Sequence, residues 1–162
     1  MSRFSVLFVC TANICRTPMA EVYLRKLVMD ENLQEQIEVK SAGTWAIQGV
    51  PPAENSIQVC SENGLETLEL RSKPVNPTMM NECDLVLCMT LEHKNDLLAI
   101  FPHHNVKLFT LKEFCRPEPP EQLSIKDPHG RSLEIHRNTF WEIKAEIDRM
   151  WPQIKQRSTA TI

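Results

Sequence analysis

The 162-residue sequence has no hydrophobic run long enough to span a membrane, and its apolar amino-terminal segment, Phe4–Cys10, is too short for a secretory signal. Its 18 basic and 21 acidic side chains give a formal net charge of -3, so no overall field attracts nucleic acid or an anionic membrane. Six cysteines are too few for a disulfide-stapled secreted domain, and we expect thiols in a reducing compartment. These absences predict a cytoplasmic protein without nucleic-acid or membrane partners, and separately we expect a monomer.

The sequence also lacks internal repeats, low-complexity tracts and a domain linker. The pair His103 and His104 has no cysteine or carboxylate at the spacing of a zinc site, so we expect neither a metal nor a cofactor. Hydrophobic residues make up 42% and charged residues 24%, as in ordinary globular proteins. We therefore expect one domain over residues 1–162.

Hydrophobic periodicity predicts strands that alternate with helices. The predicted strands are 4–9, 37–42, 84–89 and 106–110. The predicted helices begin at Pro18, Ala53, Asn76, the Thr90 cap and about Ser132, and Pro152 is expected to bend or shorten the last one. This order predicts a three-layer α/β fold, with a four-stranded parallel sheet flanked by helices and ligands bound at the carboxyl ends of its strands.

The segment from Cys10 to Pro18 (CTANICRTP) joins the first buried strand to the first helix. A tight loop in this position turns backbone N–H groups inward, and the helix dipole adds to the attraction for an anion. Arg16 can complete a phosphate site with a two-pronged contact. The same positive surroundings favour the thiolate of Cys10, which is the form that attacks phosphorus.

The remaining parts of a phosphatase site are also present. The loop residues expected to bind phosphate or support the loop are Thr11, Ala12, Asn13, Ile14, Cys15 and Thr17. Asn13 tolerates the left-handed conformation that such a loop needs, and the Thr17 hydroxyl can donate to the Cys10 sulfur. Asp127, in a proline-fixed turn of a long loop, is the expected general acid. A purely structural Cys10 and a solvated Arg16 are the alternative, which their placement at a strand end and a helix start disfavours.

Four segments resemble the low-molecular-weight protein tyrosine phosphatase family: VLFVCTANICRTPMAE (6–21), SAGT (41–44), DLVLCM (84–89) and DPHG (127–130). The resemblance implies a flavodoxin-like layout and hydrolysis of phosphorylated proteins through a cysteinyl-phosphate on Cys10, without a metal. Inorganic phosphate is then the product and a competitive ligand. The resemblance implies the roles given above for Arg16, Thr17 and Asp127, and loop support by Asn13, Ser41 and Glu21.

The chain departs from the family pattern in the loop and in the acid turn. Ala12 stands where glycine is common, so the backbone there must accept a Cβ. His129 stands where an aromatic residue usually follows the Asp-Pro pair, and it is expected to line the substrate cleft with weaker recognition of an aromatic ring. Trp45 is a second candidate for the cleft wall, or else an ordinary core or surface tryptophan.

Several alternatives stay open. Residues 84–93 and 108–114 resemble the bacterial protein-arginine phosphatases, whose loop has threonine at the position of Ile14, so phosphotyrosine is favoured over phosphoarginine. Cys83 and Cys88 suggest another enzyme class, the thioredoxin-coupled arsenate reductases, although the burial of these cysteines favours structural thiols. A phosphate-recognising binding module is the non-enzymatic alternative. Cys15 either forms a protective disulfide with Cys10, which the family resemblance supports, or packs under the loop.

Overall fold

The computed structural model describes residues 2–160 of the chain. Its strands are β1 (Phe4–Cys10), β2 (Ile37–Gly43), β3 (Leu85–Cys88) and β4 (Leu108–Thr110). They form one parallel sheet in the order β2-β1-β3-β4. The predicted four-stranded parallel sheet is confirmed, and the carboxyl ends of all four strands meet at one edge.

Five α-helices and one 3-10 helix complete the described part of the chain. The α-helices are α1 (Arg16–Asp30), α2 (Glu54–Glu62), α3 (Pro77–Glu82), α4 (Leu91–Ile100) and α5 (Leu133–Ala160), and the 3-10 helix is Pro102–Lys107. Within residues 2–160, no helix combines the length and the hydropathy that a membrane crossing requires.

The central strand β1 separates two hydrophobic cores, which is the physical reason for three layers. Alternate β1 side chains, among them Val6 and Phe8, join a core with α1, α2 and α5. The intervening Leu7 and Val9 join a second core with residues of α3 and α4. All seven residues of β1 are buried, which is why its sequence is continuously apolar rather than alternating.

The helix boundaries confirm the predicted caps. The Asn76 side chain accepts a hydrogen bond from the Met79 backbone N–H at 2.9 Å, and Pro77 occupies the first position of α3. The Thr90 hydroxyl accepts one from the His93 N–H at 3.1 Å, at the start of α4. Both caps satisfy backbone donors that a helix end leaves unpaired.

The structure departs from the predicted boundaries in the fourth strand and the first helix, and the last helix is not shortened. The fourth strand begins at Leu108 rather than at Val106, because Pro102–Lys107 forms a 3-10 helix in which Val106 is 81% exposed. Helix α1 begins two residues before Pro18, since proline is tolerated anywhere in a first turn. Helix α5 continues through Pro152 to Ala160, and the buried Trp151 and Ile154 on either side anchor it against the core.

Gly43 is where the end of β2 meets the loop that follows β1. A Cβ built on Gly43 would lie 2.3 Å from the backbone oxygen of Thr11, far inside contact distance. The next two residues fix this approach, because Thr44 N–H donates to the Cys10 carbonyl and Trp45 N–H to the Thr11 carbonyl, each at 2.9 Å. Only glycine at position 43 allows the end of β2 to come this close to the loop after β1.

We expect Gly43→Ala to lower the free energy of unfolding by about 3 kcal/mol, because the clash is with backbone that cannot move away without breaking these bonds. Gly64→Ala is the control: its φ of +72° strains alanine, but nothing lies within 4 Å of its Cβ. That variant should lose only about 1 kcal/mol. Urea unfolding measures both, and equal losses would mean that the Thr11 contact does not limit residue 43.

Candidate active site

A cavity of about 210 Å³ opens at the carboxyl end of β1, between that strand and α1. Its lining residues are Cys10, Thr11, Ala12, Ile14, Cys15, Arg16, Asp127 and His129. Residues more than a hundred positions apart in the chain therefore share one small cavity. All of them were singled out from the sequence as candidates for one site.

Asn13 holds the loop between β1 and α1 from the inside. Its φ of 61° is left-handed, as predicted, whereas Ala12 has no positive φ, so its backbone does not require glycine. The Asn13 side-chain amide donates to Thr17 Oγ1 at 2.7 Å and to Ser41 Oγ at 2.9 Å, and its oxygen accepts from the Lys73 N–H at 3.0 Å. The loop conformation is thus fixed by three bonds from one 3%-exposed side chain.

The bond from Asn13 also decides how Thr17 can act on Cys10. Thr17 Oγ1 lies 3.2 Å from Cys10 Sγ. Because Thr17 Oγ1 already accepts a hydrogen from Asn13, its own hydrogen is available for the sulfur. A hydroxyl that donates to the sulfur stabilises a thiolate, and Cys10 also lies close to the amino terminus of α1, where the helix dipole favours negative charge.

Behind Asn13 the network continues to a buried carboxylate. Ser41 Oγ donates to Glu21, whose side chain is 2% exposed, and Glu21 forms an ion pair with Arg25. A buried carboxylate is costly unless it is paired, and Arg25 supplies that charge from the protein surface. The phosphate loop therefore rests on a continuous polar chain that ends in an ion pair.

Arg16 faces the cavity from the first turn of α1, with its side chain 4% exposed. Its Nη1 donates to the Ile125 carbonyl at 2.8 Å, and its Nη2 lies 3.7 Å from the Asp127 carboxylate. No acceptor in residues 2–160 reaches its buried Nε. A guanidinium with this arrangement still has a donor to offer to an anion.

Asp127 lies in a turn that lines the cavity, and its side chain is 50% exposed. Its carboxylate accepts the His129 backbone N–H at 3.0 Å, which orders the turn. The His129 ring approaches the loop, with Nδ1 3.8 Å from Cys15 Sγ. The half-exposed carboxyl group is therefore held near the loop while it can still exchange protons with water.

Cys15 is a buried thiol on the same cavity. Burial, and then the nearby negative charges of Asp127 and Cys10, raise the pKa of Cys15 to about 11. It is therefore protonated at neutral pH. Both Cys10 and Cys15 are free thiols in this structure.

The other two cysteines considered for a redox relay lie away from the cavity. Cys88 is fully buried in β3, and burial raises its pKa strongly. Cys83 is also buried, its thiol donates to the Met80 carbonyl at 3.6 Å, and burial raises its pKa too. Inert, protonated thiols do not suit a mobile disulfide relay, so the arsenate-reductase alternative loses its structural basis.

Trp45 does not line the cavity. Its side chain is 80% exposed and borders a separate groove of about 530 Å³ with Val75, Leu97 and Ile100. Only its backbone approaches the loop, through the bond to the Thr11 carbonyl.

Across residues 2–160, no three histidine, cysteine or acidic side chains are grouped so as to hold a metal ion.

His93 is the site residue that sequence reasoning missed. It is 4% exposed on the first turn of α4, and its Nε2 lies 2.8 Å from Thr11 Oγ1. Burial, and then the positive charge of Arg16, lower the pKa of His93 to about 4, so the ring is neutral at physiological pH. The available signal was its position: a residue just after β3 belongs to the same sheet edge as Cys10.

Similarity to known proteins defines the enzyme class of this chain. The similar proteins are named protein phosphatases, and this chain is a cysteine-dependent phosphatase. The sequence model of the family described as Low molecular weight phosphotyrosine protein phosphatase matches residues 5–160, so the chain belongs to that family.

Similar proteins carry two different names within that class. The Protein-arginine-phosphatase of Bacillus subtilis (strain 168) is 32% identical over 151 residues, covering 93% of this chain and 97% of the relative. Among solved structures, the YwlE arginine phosphatase from Geobacillus stearothermophilus has a TM-score of 0.84 at 34% identity, covering 97% and 96%. The Low Molecular Weight Protein Tyrosine Phosphatase from T. tengcongensis has a TM-score of 0.83 at 34% identity, covering 93% and 99%. Overall likeness therefore does not separate the two substrate classes.

The low pKa of His93 predicts a specific loss of stability in acid. An unfolded chain binds a proton on this histidine below its ordinary pKa of 6.5, whereas the folded chain does so only below about 4. Stability therefore falls as the pH drops through this window, by about 2 kcal/mol between pH 7 and pH 5. Urea unfolding at the two pH values should show that His93→Leu lacks this share of the loss.

His93→Gln is the matched variant, because glutamine is polar and does not titrate. Like His93→Leu, it should lack the part of the acid-induced loss of stability that comes from the histidine. If both variants fell with pH as steeply as the parent, the histidine would not be held neutral by the fold.

Proposed function

We propose that the chain hydrolyses phosphotyrosine in proteins through a cysteinyl-phosphate on Cys10, and that it does so as a single-domain monomer in the cytoplasm. The observation that carries this proposal is the convergence of Cys10, Arg16 and Asp127 on one cavity of about 210 Å³. The donation available from Thr17 to the Cys10 sulfur supports it further. The free cysteines among the described residues are compatible with a reducing compartment.

In the first step the Cys10 thiolate attacks phosphorus, and the bond from phosphorus to the tyrosine oxygen breaks. Asp127 gives its proton to the departing phenolate oxygen. Arg16 and the backbone N–H groups of the loop offset the charge on the three other phosphoryl oxygens, which is the main requirement of phosphoryl transfer.

In the second step water attacks the cysteinyl-phosphate, and the bond from phosphorus to sulfur breaks. Asp127, now a carboxylate, accepts a proton from that water. The electron pair returns to Cys10 as a thiolate, which the Thr17 hydroxyl and the helix dipole stabilise. Inorganic phosphate leaves, and it competes with substrate for the same cavity.

Cys15 has a proposed protective role. A peroxide oxidant converts the Cys10 thiolate to a sulfenic acid, and the Cys15 sulfur then displaces water to form a Cys10–Cys15 disulfide. Their position on one cavity supports this step. Reduction by a cellular dithiol returns both thiols.

Ile14 is the basis for choosing phosphotyrosine. It lines the cavity and presents an aliphatic surface beside the phosphate, which suits an aromatic ring and offers no hydroxyl to a guanidinium. Phosphoarginine is the second candidate, favoured by the 32% identity to the protein-arginine-phosphatase of Bacillus subtilis. The turn residue His129 also lines the cavity. It stands where the family usually has an aromatic residue, whose ring would stack more strongly on tyrosine, so His129 does not add to the preference for phosphotyrosine.

A direct comparison of the two substrates tests the proposal. We expect faster phosphate release from a phosphotyrosine peptide than from a phosphoarginine peptide of the same sequence, since Ile14 favours the ring. Cys10→Ser should abolish turnover of both peptides while leaving phosphate affinity. Faster phosphoarginine turnover would reverse the assignment, and no Cys10-dependent turnover of either would leave a binding module.

Ile14→Thr is the matched variant for that comparison. It replaces the aliphatic group by a hydroxyl at nearly the same volume, so the ratio of the two kcat/KM values should shift toward phosphoarginine by about tenfold. An unchanged ratio would mean that residue 14 does not select the substrate.

The proton donor is tested through the leaving group. Asp127→Asn should lower kcat for a phosphotyrosine peptide by about 10²–10³-fold, because the phenolate leaves unprotonated. The loss should be much smaller for 2,4-dinitrophenyl phosphate, whose leaving group needs no proton. Asp96→Asn, an exposed aspartate on α4, serves as the control and should retain full activity. Equal losses on both substrates would assign Asp127 a role other than proton transfer.

A further inference from the structure

The buried contact between His93 and Thr11 links α4 to the phosphate loop. Thr11 immediately follows Cys10 and lines the cavity, whereas His93 lies 82 residues further along the chain. The Thr90 cap fixes the first turn of α4, and so the backbone of His93. The ring of His93 therefore approaches the loop from a rigid element rather than from another loop.

The hydrogen on this imidazole can be assigned from its surroundings. No described residue bonds to the buried Nδ1. A buried N–H without an acceptor is rarer than a buried acceptor without a donor, so the hydrogen belongs on Nε2. Nε2–H then donates to Thr11 Oγ1, and the lone pair of Nδ1 is left unpaired. The ring is neutral because burial and Arg16 both disfavour a second proton.

An unpaired buried acceptor destabilises the folded state, and leucine at the same position would avoid that cost. The polar bond to Thr11 is thus made at the expense of stability, next to the nucleophile. Buried polar atoms without a hydrogen-bond partner are typical of functional sites.

We infer that His93 is a positioning residue for the phosphate loop: its Nε2–H holds Thr11, and so keeps the loop in the shape that binds phosphate before substrate arrives. This inference rests on the proposed function and adds to it a residue that touches neither substrate nor nucleophile. Removing the bond leaves the chemistry intact but lets the loop relax, so phosphate binding and transition-state binding weaken together.

The experiment measures inorganic phosphate affinity by titration calorimetry in the Cys10→Ser protein, where turnover plays no part. We expect His93→Leu to weaken phosphate binding about tenfold, with a Tm at pH 7 that is equal to or above that of the parent. His93→Gln can keep a donor at the same distance, and it should stay within about threefold of the parent. In the protein with Cys10, kcat/KM for p-nitrophenyl phosphate should change by the same factors.

Thr11→Val removes the other partner with little change in volume. It should weaken phosphate binding about as much as His93→Leu, and the double variant should be no worse than either single one, because one shared bond is lost in all three. His104→Leu, outside the site and bonded to Asn81, is the control for removing an imidazole and should not change phosphate affinity.

Phosphate affinity of His93→Leu within twofold of the parent would overturn the inference. So would losses in the double variant that multiply, since the two residues would then act independently. If His93→Leu did not fold, unchanged affinity in Thr11→Val would overturn it equally. Absence of turnover in the parent with Cys10 would contradict the proposed function alone, because the binding measurement does not depend on catalysis.

Discussion

The carboxamide of Asn13 connects the nucleophile loop to two other parts of the chain. Its nitrogen donates to Thr17 and Ser41, and its oxygen accepts from the backbone of Lys73. The left-handed φ of the same residue turns the loop backbone. One side chain therefore sets both the path of the loop and the direction in which the Thr17 hydroxyl donates. The rest of the site depends on it, because the sulfur, the arginine and the cavity are all placed relative to that loop.

The parallel sheet explains why these distant residues meet. β1, β2 and β3 end at one edge, and each supplies something different there. β1 delivers Cys10, the end of β2 delivers Gly43 with the two N–H groups that bind the loop carbonyls, and the helix after β3 delivers His93. An antiparallel sheet of the same strands would send half of these ends to the opposite edge. The topology is thus part of the chemistry.

Much of this arrangement could be predicted from the sequence, since it is written in local patterns. A buried strand followed by CTANICRTP identifies the loop, and Asn13 was predicted to be left-handed because few other residues tolerate that backbone. The caps of α3 and α4 are likewise local, because a capping side chain and the backbone N–H that donates to it lie three residues apart. The remainder depends on tertiary contacts: Val106 looks like a strand residue but lies in an exposed 3-10 turn, and Pro152 remains helical because its neighbours are buried.

Trp45 and His93 show the same limit from opposite sides. A large aromatic beside the SAGT segment suggests a cleft wall, yet its side chain borders a separate groove and does not line the cavity. A histidine among the polar residues of α4 suggests nothing, yet it reaches the residue next to the nucleophile. Neither fact follows from residue type, because both depend on which face of an element meets the sheet edge.

The unpaired polar atoms give the last step of this argument. Four buried side-chain atoms in the described chain have no hydrogen-bond partner, and two of them belong to Arg16 and His93. Each of these two atoms costs stability where it stands, and each belongs to a side chain that serves the phosphate loop. Arg16 keeps a donor that a bound phosphate can satisfy, so binding recovers part of that cost. His93 keeps an acceptor that nothing satisfies, because its other nitrogen is committed to Thr11. The fold has thus retained two buried polar side chains with unpaired atoms beside the loop that holds the anion.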